Sequence, residues 1–321
     1  MQRLRLILNS GFSGPHAPFF LAQERGYFSA AGLDMEFVAG GGAAAVVPLV
    51  GHDGVEAGYG DMNAQIELVA RDLETAPISV FAMFNAPPFT IAVRADGEVR
   101  RPADLTGRVL SGHANDAALK LFPAYADAVG IPVARVAIRP SPDGLGEQVR
   151  DLLLPGRVDG VFGFVNTIIA ALAPLDIDPD RYLRFVNFVD AVPDLYANTL
   201  MVARPLIARA PDLVRALVHG VNRGLVDTLA DIDAGIAAVA RAAPRIDRDV
   251  QRRRLVGTLR AEMAHPEGAR IGIGDVDDDR LARAAALLAR TCGFARTPAA
   301  GEIFTRRFLP ALEQRVRTLA A

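Results

Sequence analysis

The hydrophobic pattern changes period twice within residues 4–38, and that switch restricts the chain to an α/β architecture. Residues 4–8 read as a short strand, and residues 9–15 as a polar turn. An amphipathic helix follows and ends at Gly32, after which residues 34–38 resume strand character. The turn and its exit hold Asn9, Ser10, Phe12, Ser13 and His16. These side chains stand at the carboxyl end of the first strand, the edge of an open α/β sheet where ligands bind.

The chain has 321 residues, of which 51% are hydrophobic and 22% charged, enough for two lobes with separate cores. A net charge of −2 gives no field that would favour nucleic acid or an acidic membrane. Arginines supply almost all the basic charge and are scattered; Lys120 is the one lysine. The single cysteine, Cys292, allows neither an internal disulfide nor a cysteine metal cluster. No apolar run approaches the ~18 residues of a membrane helix, so no membrane insertion is expected.

The first ~90 residues repeat strand and helix patterns. A Gly/Ala-rich helix is expected over residues 42–50, with strands at 56–60, 78–84 and 90–93. A second α/β series follows. Its strands are expected at 109–110, 135–138, 160–164 and 183–188, with helices at about 116–129 and 145–154. After a strand near residues 199–203 the signals are almost all helical. Leu213, Leu217 and Val221, four apart, mark one buried face. The pattern therefore predicts lobe one over residues 1–88 and 204–321, and lobe two over 89–203. Two crossings, near residues 85–95 and 198–204, would make a hinge suited to enclosing a ligand.

Several segments carry polar chemistry. Gly40, Gly41 and Gly42 lack the following Gly-Lys-Ser/Thr of a phosphate loop, so they read as a flexible strand-to-helix turn. His16 and His113 sit where a cleft would be lined, and no histidine pair has metal-ligand spacing. Asp61 is placed to cap a helix, leaving Asn63 to face a ligand. Residues 111–116 open a helix, so Ser111 and Asn115 stand beside its free N–H groups; Asp116 disfavours a bare anion there. Phe164 and Asn166 end a lobe-two strand, with Phe89 as a further aromatic wall. The loop 190–198 offers Asp190, Tyr196 and Asn198 for pairing, stacking and hydrogen bonding. No Gly-x-Ser-x-Gly nucleophile elbow is present.

The run HAPFFLAQERGYFSAAGLD at residues 16–34 resembles the opening of the periplasmic solute-binding protein family for sulfonates, nitrate and thiamine-pyrimidine precursors. PADLTG at 102–107, RVDG at 157–160 and NTLMV at 198–202 resemble three further signatures. The resemblance covers roughly residues 3–230. It implies an α/β, two-lobe, type II periplasmic-binding-protein fold with two hinge crossings and a helical C-terminal segment. It also implies a solute-binding subunit of an ABC importer, with an ABC permease as partner, acting as a periplasmic monomer. The strand begins almost at Met1, so an export signal is expected to have been removed or to be missing from this sequence.

One branch of the family, hydroxymethylpyrimidine-phosphate synthase, is an enzyme that consumes its own histidine and a lysine-bound pyridoxal phosphate. Its lysine position falls at Gly60 and its histidine at Ala64. A Schiff base needs an amine and a thiolate iron site needs thiols, so no enzyme, cofactor or metal is expected. Asn9 matches an asparagine of the pyrimidine-precursor branch, although Ser10 replaces a frequent tryptophan. The expected ligand is a small polar ring-bearing molecule such as an aminopyrimidine. An aromatic carboxylate or alkyl sulfonate is the alternative, and a cytoplasmic enzyme or sensor a third. Asn9, Phe12, His16, Asp61, Asn63, Phe89, Ser111, His113, Asn115, Phe164, Asn166, Asp190, Tyr196 and Asn198 are the expected ligand-binding residues.

Overall fold

The computed structural model describes residues 1–319 and builds them around two five-stranded sheets. Lobe one begins with β1 (Gln2–Ile7), α1 (Ala17–Glu24), α2 (Tyr27–Ala30), β2 (Leu33–Val38), β3 (Ala57–Asp61), α3 (Met62–Arg71) and β4 (Ile78–Ala82). Lobe two contains β5 (Phe89–Arg94), β6 (Val109–Gly112), α4 (Ala117–Val129), β7 (Ala137–Pro140), α5 (Leu145–Leu153), β8 (Gly160–Phe164), α6 (Val165–Leu172), α7 (Pro179–Tyr182) and β9 (Leu183–Asn187). The chain returns through β10 (Asn198–Val202), α8 (Arg204–Arg209), α9 (Pro211–Ala230), α10 (Ile232–Ala242), α11 (Arg248–Thr258), α12 (Pro266–Ile271), α13 (Asp278–Cys292) and α14 (Ala300–Ile303).

The two sheets share one plan. The first has the order β2-β1-β3-β10-β4, with β2, β1 and β3 parallel and β10 antiparallel to both its neighbours. The second has the order β7-β6-β8-β5-β9, with β7, β6 and β8 parallel and β5 reversed between β8 and β9. The strand that follows each crossing thus enters its sheet antiparallel. β3, in the middle of its sheet, is buried along its whole length and needs no alternating pattern; β4 lies at the edge but is buried too, with Ser79 and Ala82 bridged to Phe304 and Gly274 on its outer side.

Three expectations are corrected. The lobe boundary expected after residue 203 falls earlier, because β10 pairs Asn198 with Asp61 and Val202 with Ala57 inside the first sheet. Its apolar side chains (Leu200, Met201 and Val202 are fully buried) fill lobe one, and the crossing lies between β9 and β10. The helix expected over residues 42–50 is a series of turns with only a short 3₁₀ segment, Val47–Leu49. Gly42 has φ 137°, a value closed to a helix, and Pro48 removes a donor. The single helix expected up to Gly32 breaks into α1 and α2 at Gly26, which has φ 71°.

The return helices bury the face that the sequence marked: Leu217 and Val221 are fully buried and Leu213 is 8% exposed. α11 then lies across the junction of the lobes. On lobe one it rests on the turn at Gly14, whose N–H donates to Gln251 Oε1 at 2.8 Å. A Cβ at Gly14 would stand 2.1 Å from the Gln251 carbonyl oxygen, so only glycine permits that approach. On lobe two α11 meets α6, and the helix continues into a π-helical turn, Leu259–Met263. Such turns insert an extra residue per turn and redirect side chains, often at functional sites.

Candidate functional site

A cavity of about 190 Å³ opens between the lobes where the strands end. Lobe one lines it with the segment after β1 (Asn9, Ser10, Ser13 and His16), the turn at Gly41–Gly42 and Phe84 after β4. Lobe two contributes His113, Asn115 and Asp116 after β6, Phe164 at the end of β8 and Thr167 in α6. Arg254, Thr258 and Glu262 arrive from α11 and its π-helical extension. This is the carboxyl edge of the parallel strands in both sheets, as the first turn of the sequence implied.

His16 is 1% exposed. Its Nδ1 accepts the backbone N–H of Ser13 at 3.2 Å, and its Nε2 lies 2.7 Å from Asn9 Oδ1. Burial, with the Arg254 charge adding to it, pulls the imidazole down to about 3, so the ring is neutral near pH 7. Asp116 caps α4, its Oδ1 accepting the N–H groups of Ala118 at 2.8 Å and Leu119 at 3.2 Å. Desolvation raises its carboxyl to about 6, the two N–H contacts opposing.

The far wall joins the lobes. Asn166 Nδ2 donates to Glu262 Oε1 at 2.9 Å, and Arg254 Nη2 donates to Thr167 Oγ1 at 2.9 Å. Glu262 is 3% exposed, and burial pushes its carboxyl above the usual range. Burial lowers the Arg254 guanidinium from its ordinary value, while the nearby Glu262 charge pulls the other way. Among the described residues, no carboxylate lies within 4.0 Å of Arg254. A Cβ at Gly257 would stand 2.3 Å from Asn166 Oδ1, so the glycine there lets the Asn166 side chain lie against α11.

Aromatic rings stiffen both walls. Phe164 faces the cavity and packs edge-on against Phe89 at 5.3 Å, which packs in turn on Phe188 at 6.2 Å. Phe84 packs against Tyr59 at 6.1 Å, and Tyr59 against His16 at 6.0 Å. Among the described residues, the Tyr59 hydroxyl and both amide atoms of Asn198 are buried with no hydrogen-bond partner within 3.5 Å.

Of the residues expected from sequence, Asn9, His16, His113, Asn115 and Phe164 line the cavity. The others lie elsewhere. Phe12 packs on Phe20 at 4.9 Å, since α1 offers it an apolar neighbour. Asp61 caps α3 through Ala64 N–H, and Asn63 Nδ2 donates to Asp61 Oδ1 and the Tyr196 carbonyl. Desolvation raises the Asp61 carboxyl to about 6. Ser111 is buried within β6, and Phe89 backs the wall without reaching it. Asn166 is turned to Glu262, and Asp190 faces solvent. Tyr196 is drawn into a network with Glu267 and Arg280, and Asn198 sits inside the first sheet.

Sequence reasoning missed Arg254, Thr258, Glu262, Thr167 and Phe84 as lining residues. Arg254 is the third of three consecutive arginines, and Arg252 and Arg253 are exposed. Nothing local separates it from a solvated face. Ser13 and Asp116, which the sequence places at ligand-facing strand ends without counting them among the binding residues, line the cavity. Among the described residues, no group of three or more His, Cys, Asp or Glu side chains could hold a metal ion, and no helix is long and apolar enough to cross a membrane.

Comparison with known proteins places this geometry. A curated relative, the 4-amino-5-hydroxymethyl-2-methylpyrimidine phosphate synthase of Legionella pneumophila, is 20% identical over 259 residues, 80% of this chain and 79% of that protein. The periplasmic aliphatic sulphonate binding protein SsuA of Escherichia coli superposes with a TM-score of 0.71 at 14% identity, covering 97% of this chain and 94% of that one. SsuA of Xanthomonas axonopodis pv. citri, an alkanesulfonate-binding protein bound to MOPS, superposes with a TM-score of 0.67 at 14% identity over 94% of this chain and 98% of that one. The fold is therefore the two-lobe, type II fold of periplasmic binding proteins. A family model described as NMT1/THI5 like matches residues 13–234, and the chain belongs to that family.

Proposed function

We propose that this protein is the solute-binding subunit of an ABC importer, a periplasmic monomer that encloses a small polar ring-bearing organic molecule between its lobes. One observation carries the reading. The cavity draws hydrogen-bonding side chains from both lobes and the return helices, with Phe84 and Phe164 as ring-sized walls. The E. coli and Xanthomonas relatives of the same fold are named as sulfonate-binding proteins. An aminopyrimidine-like ring fits the aromatic walls, with Asn9 and Asn115 as hydrogen-bonding groups and a permease taking the released ligand.

The Legionella relative is named as a synthase, so catalysis is the contrasting reading. By the resemblance, Gly60 and Ala64 fall where that enzyme branch has its lysine and histidine; Lys120 and Cys292 lie around a separate small cavity beside Asp61. The cleft thus offers no amine or thiol nucleophile among its lining side chains.

A thermal-shift panel over aminopyrimidines, aromatic carboxylates, alkyl sulfonates and nitrate tests the reading, with product analysis of each stabilising compound. Stabilisation by an organic ring compound recovered unchanged is the expected result. Conversion of the bound compound, or stabilisation by inorganic anions alone, refutes it. The carboxylate or sulfonate reading is favoured by one specific feature: Arg254 reaches the cavity with no carboxylate within 4.0 Å.

A further inference from the structure

We propose that the two lobes stay bolted together and that the cavity is reached through a narrow portal between Gly42 and Asn115, which makes these two residues its size filter. The inference goes beyond the receptor reading, since it concerns the way in and holds for any occupant. Two chain crossings alone would let the lobes part. Two return helices oppose that motion, because each rests on both lobes. α11 is held to lobe one by the Gly14 N–H, which donates to Gln251 Oε1 at 2.8 Å. It is held to lobe two by Arg254, which donates to Thr167 Oγ1, and through the π-helical turn by Glu262, which accepts from Asn166, both at 2.9 Å. α13 packs on α3 of lobe one and on α4 of lobe two. Its Leu288 is 1% exposed, at a junction with Asp61 and Ala64 from one lobe and Lys120 and Leu121 from the other. Further along α13, Arg290 Nη2 donates to Asp127 Oδ2 of α4 at 3.1 Å. The two seats lie at different strand ends, after β1 and β8 for α11 and after β3 and β6 for α13. Parting the lobes would therefore break both at once, baring apolar surface at Leu288 and leaving the buried Glu262 carboxyl without its donor.

The mouth of the cavity is the weak place. Of the residues that line it, Gly41, His113 and Asn115 are exposed, and the rest are buried or half-buried. The opening to solvent thus lies between the turn after β2 and the loop after β6. Here too the lobes touch: a Cβ at Gly42 would stand 3.3 Å from the Asn115 carbonyl oxygen and 3.5 Å from its Cβ. Unlike the helix seats, this contact is untied. Among the described residues, no backbone hydrogen bond joins residues 40–43 to residues 113–116, and the Asn115 N–H turns back to His113 Nδ1 at 3.1 Å. The turn is pinned only at its ends, where Gly40 N–H donates to the Ser10 carbonyl at 3.2 Å and Asp61 N–H donates to the Ala43 carbonyl at 2.9 Å. Between the pins, Gly41 and Gly42 carry no side chain across the mouth. Local movement there costs far less than parting the lobes, so the mouth opens first. A molecule that enters this way must fit past Gly42 and the Asn115 side chain.

Two measurements on the full-length protein test this. S13C places a thiol inside the cavity, where Ser13 is 3% exposed, and the exposed native Cys292 serves as the reference. Peptide mass spectrometry follows the labelling of both thiols by methyl and benzyl methanethiosulfonate. Relative to Cys292, the S13C thiol should react with the benzyl reagent at least about tenfold more slowly than with the methyl one, the effect of ~1.4 kcal/mol on the barrier to entry. Adding N115A should remove that discrimination, and adding N115F should slow both reagents. Equal relative rates in S13C, rates that neither portal variant changes, or a thiol that neither reagent reaches would each overturn the proposal. The second measurement needs no thiol in the cavity. Spin labels at A31C and A137C in a C292S background stand on exposed positions, one on each lobe. After bound molecules have been stripped by unfolding and refolding, double electron–electron resonance should give one interlobe distance. A second, longer distance overturns the bolted lobes, whatever the labelling shows.

Discussion

The guanidinium carbon of Arg280 lies 4.0 Å from the centre of the Tyr196 ring, at the place where both chain crossings meet. Its Nη2 donates to the Asn85 carbonyl at 2.6 Å on the first crossing, and to the Pro193 and Leu195 carbonyls at 3.0 and 2.9 Å on the second. Glu267 completes the cluster, pairing with Arg280 Nη1 at 2.9 Å and accepting the Tyr196 hydroxyl at 3.0 Å. A single planar fork thus satisfies backbone oxygens from two segments that are far apart in sequence.

Removing that fork leaves Glu267 buried and unpaired. R280A should lose about 3–5 kcal/mol of stability, the range for breaking a buried ion pair from one side. R280K should recover little of it, because an ammonium cannot span both crossings. Urea denaturation of the three proteins checks both statements.

Acid and base act on this protein with opposite signs. His16 is held at about 3 against its ordinary 6.5, so its stabilising contribution is complete above pH 6.5 and is lost as pH falls towards 3. Asp61 and Asp116 are held at about 6 against 3.8, so their contribution is complete below 3.8 and is lost as pH rises through about 6. H16Q should therefore lose less stability than wild type on going from pH 7 to pH 4, by about 3 kcal/mol. Melting curves across that range, with the wild type alongside, measure the difference.

The Tyr59 hydroxyl lies fully buried, and among the described residues neither it nor the Asn198 amide has a partner within 3.5 Å, although Asn198 is the hydrogen-bonding side chain that acts on the hydroxyl. Y59F removes an unmet polar group while keeping the ring that packs on His16 and Phe84. The variant should be as stable as wild type or more stable by about 1 kcal/mol. A fall in melting temperature would contradict it.

G14A should be more costly than its one methyl suggests. The new Cβ would meet the backbone carbonyl of Gln251, which cannot rotate away. A loss of about 1–3 kcal/mol is expected, as for other overpacked contacts. G257A should be milder, because its Cβ meets the Asn166 side chain. Its expected effect is to swing Asn166 off Glu262 and loosen the contact of α11 with α6. Small-angle scattering of G257A should show a larger radius of gyration than that of wild type.

The sequence by itself determined the class of fold and one rim of the cavity. Period switches between strand and helix are local properties, and the residues that directly follow a strand must stand at its carboxyl edge. Asn9, His16, His113, Asn115 and Phe164 were legible for that reason. Local pattern could not tell which sheet would take β10, because a strand buried on both faces carries no mark of its neighbours. Nor could it bring Arg254 and Glu262 to the cavity. They reach it because α11 crosses the molecule on two close contacts, at Gly14 and Gly257, and because a π-helical turn redirects its end. The same limit removed Tyr196 from the site, since its hydroxyl and ring face are taken by Glu267 and Arg280, 71 and 84 residues further on. Strand-end chemistry is set by neighbours along the chain; the charged half of the site is set by helix packing, which only the folded molecule brings about.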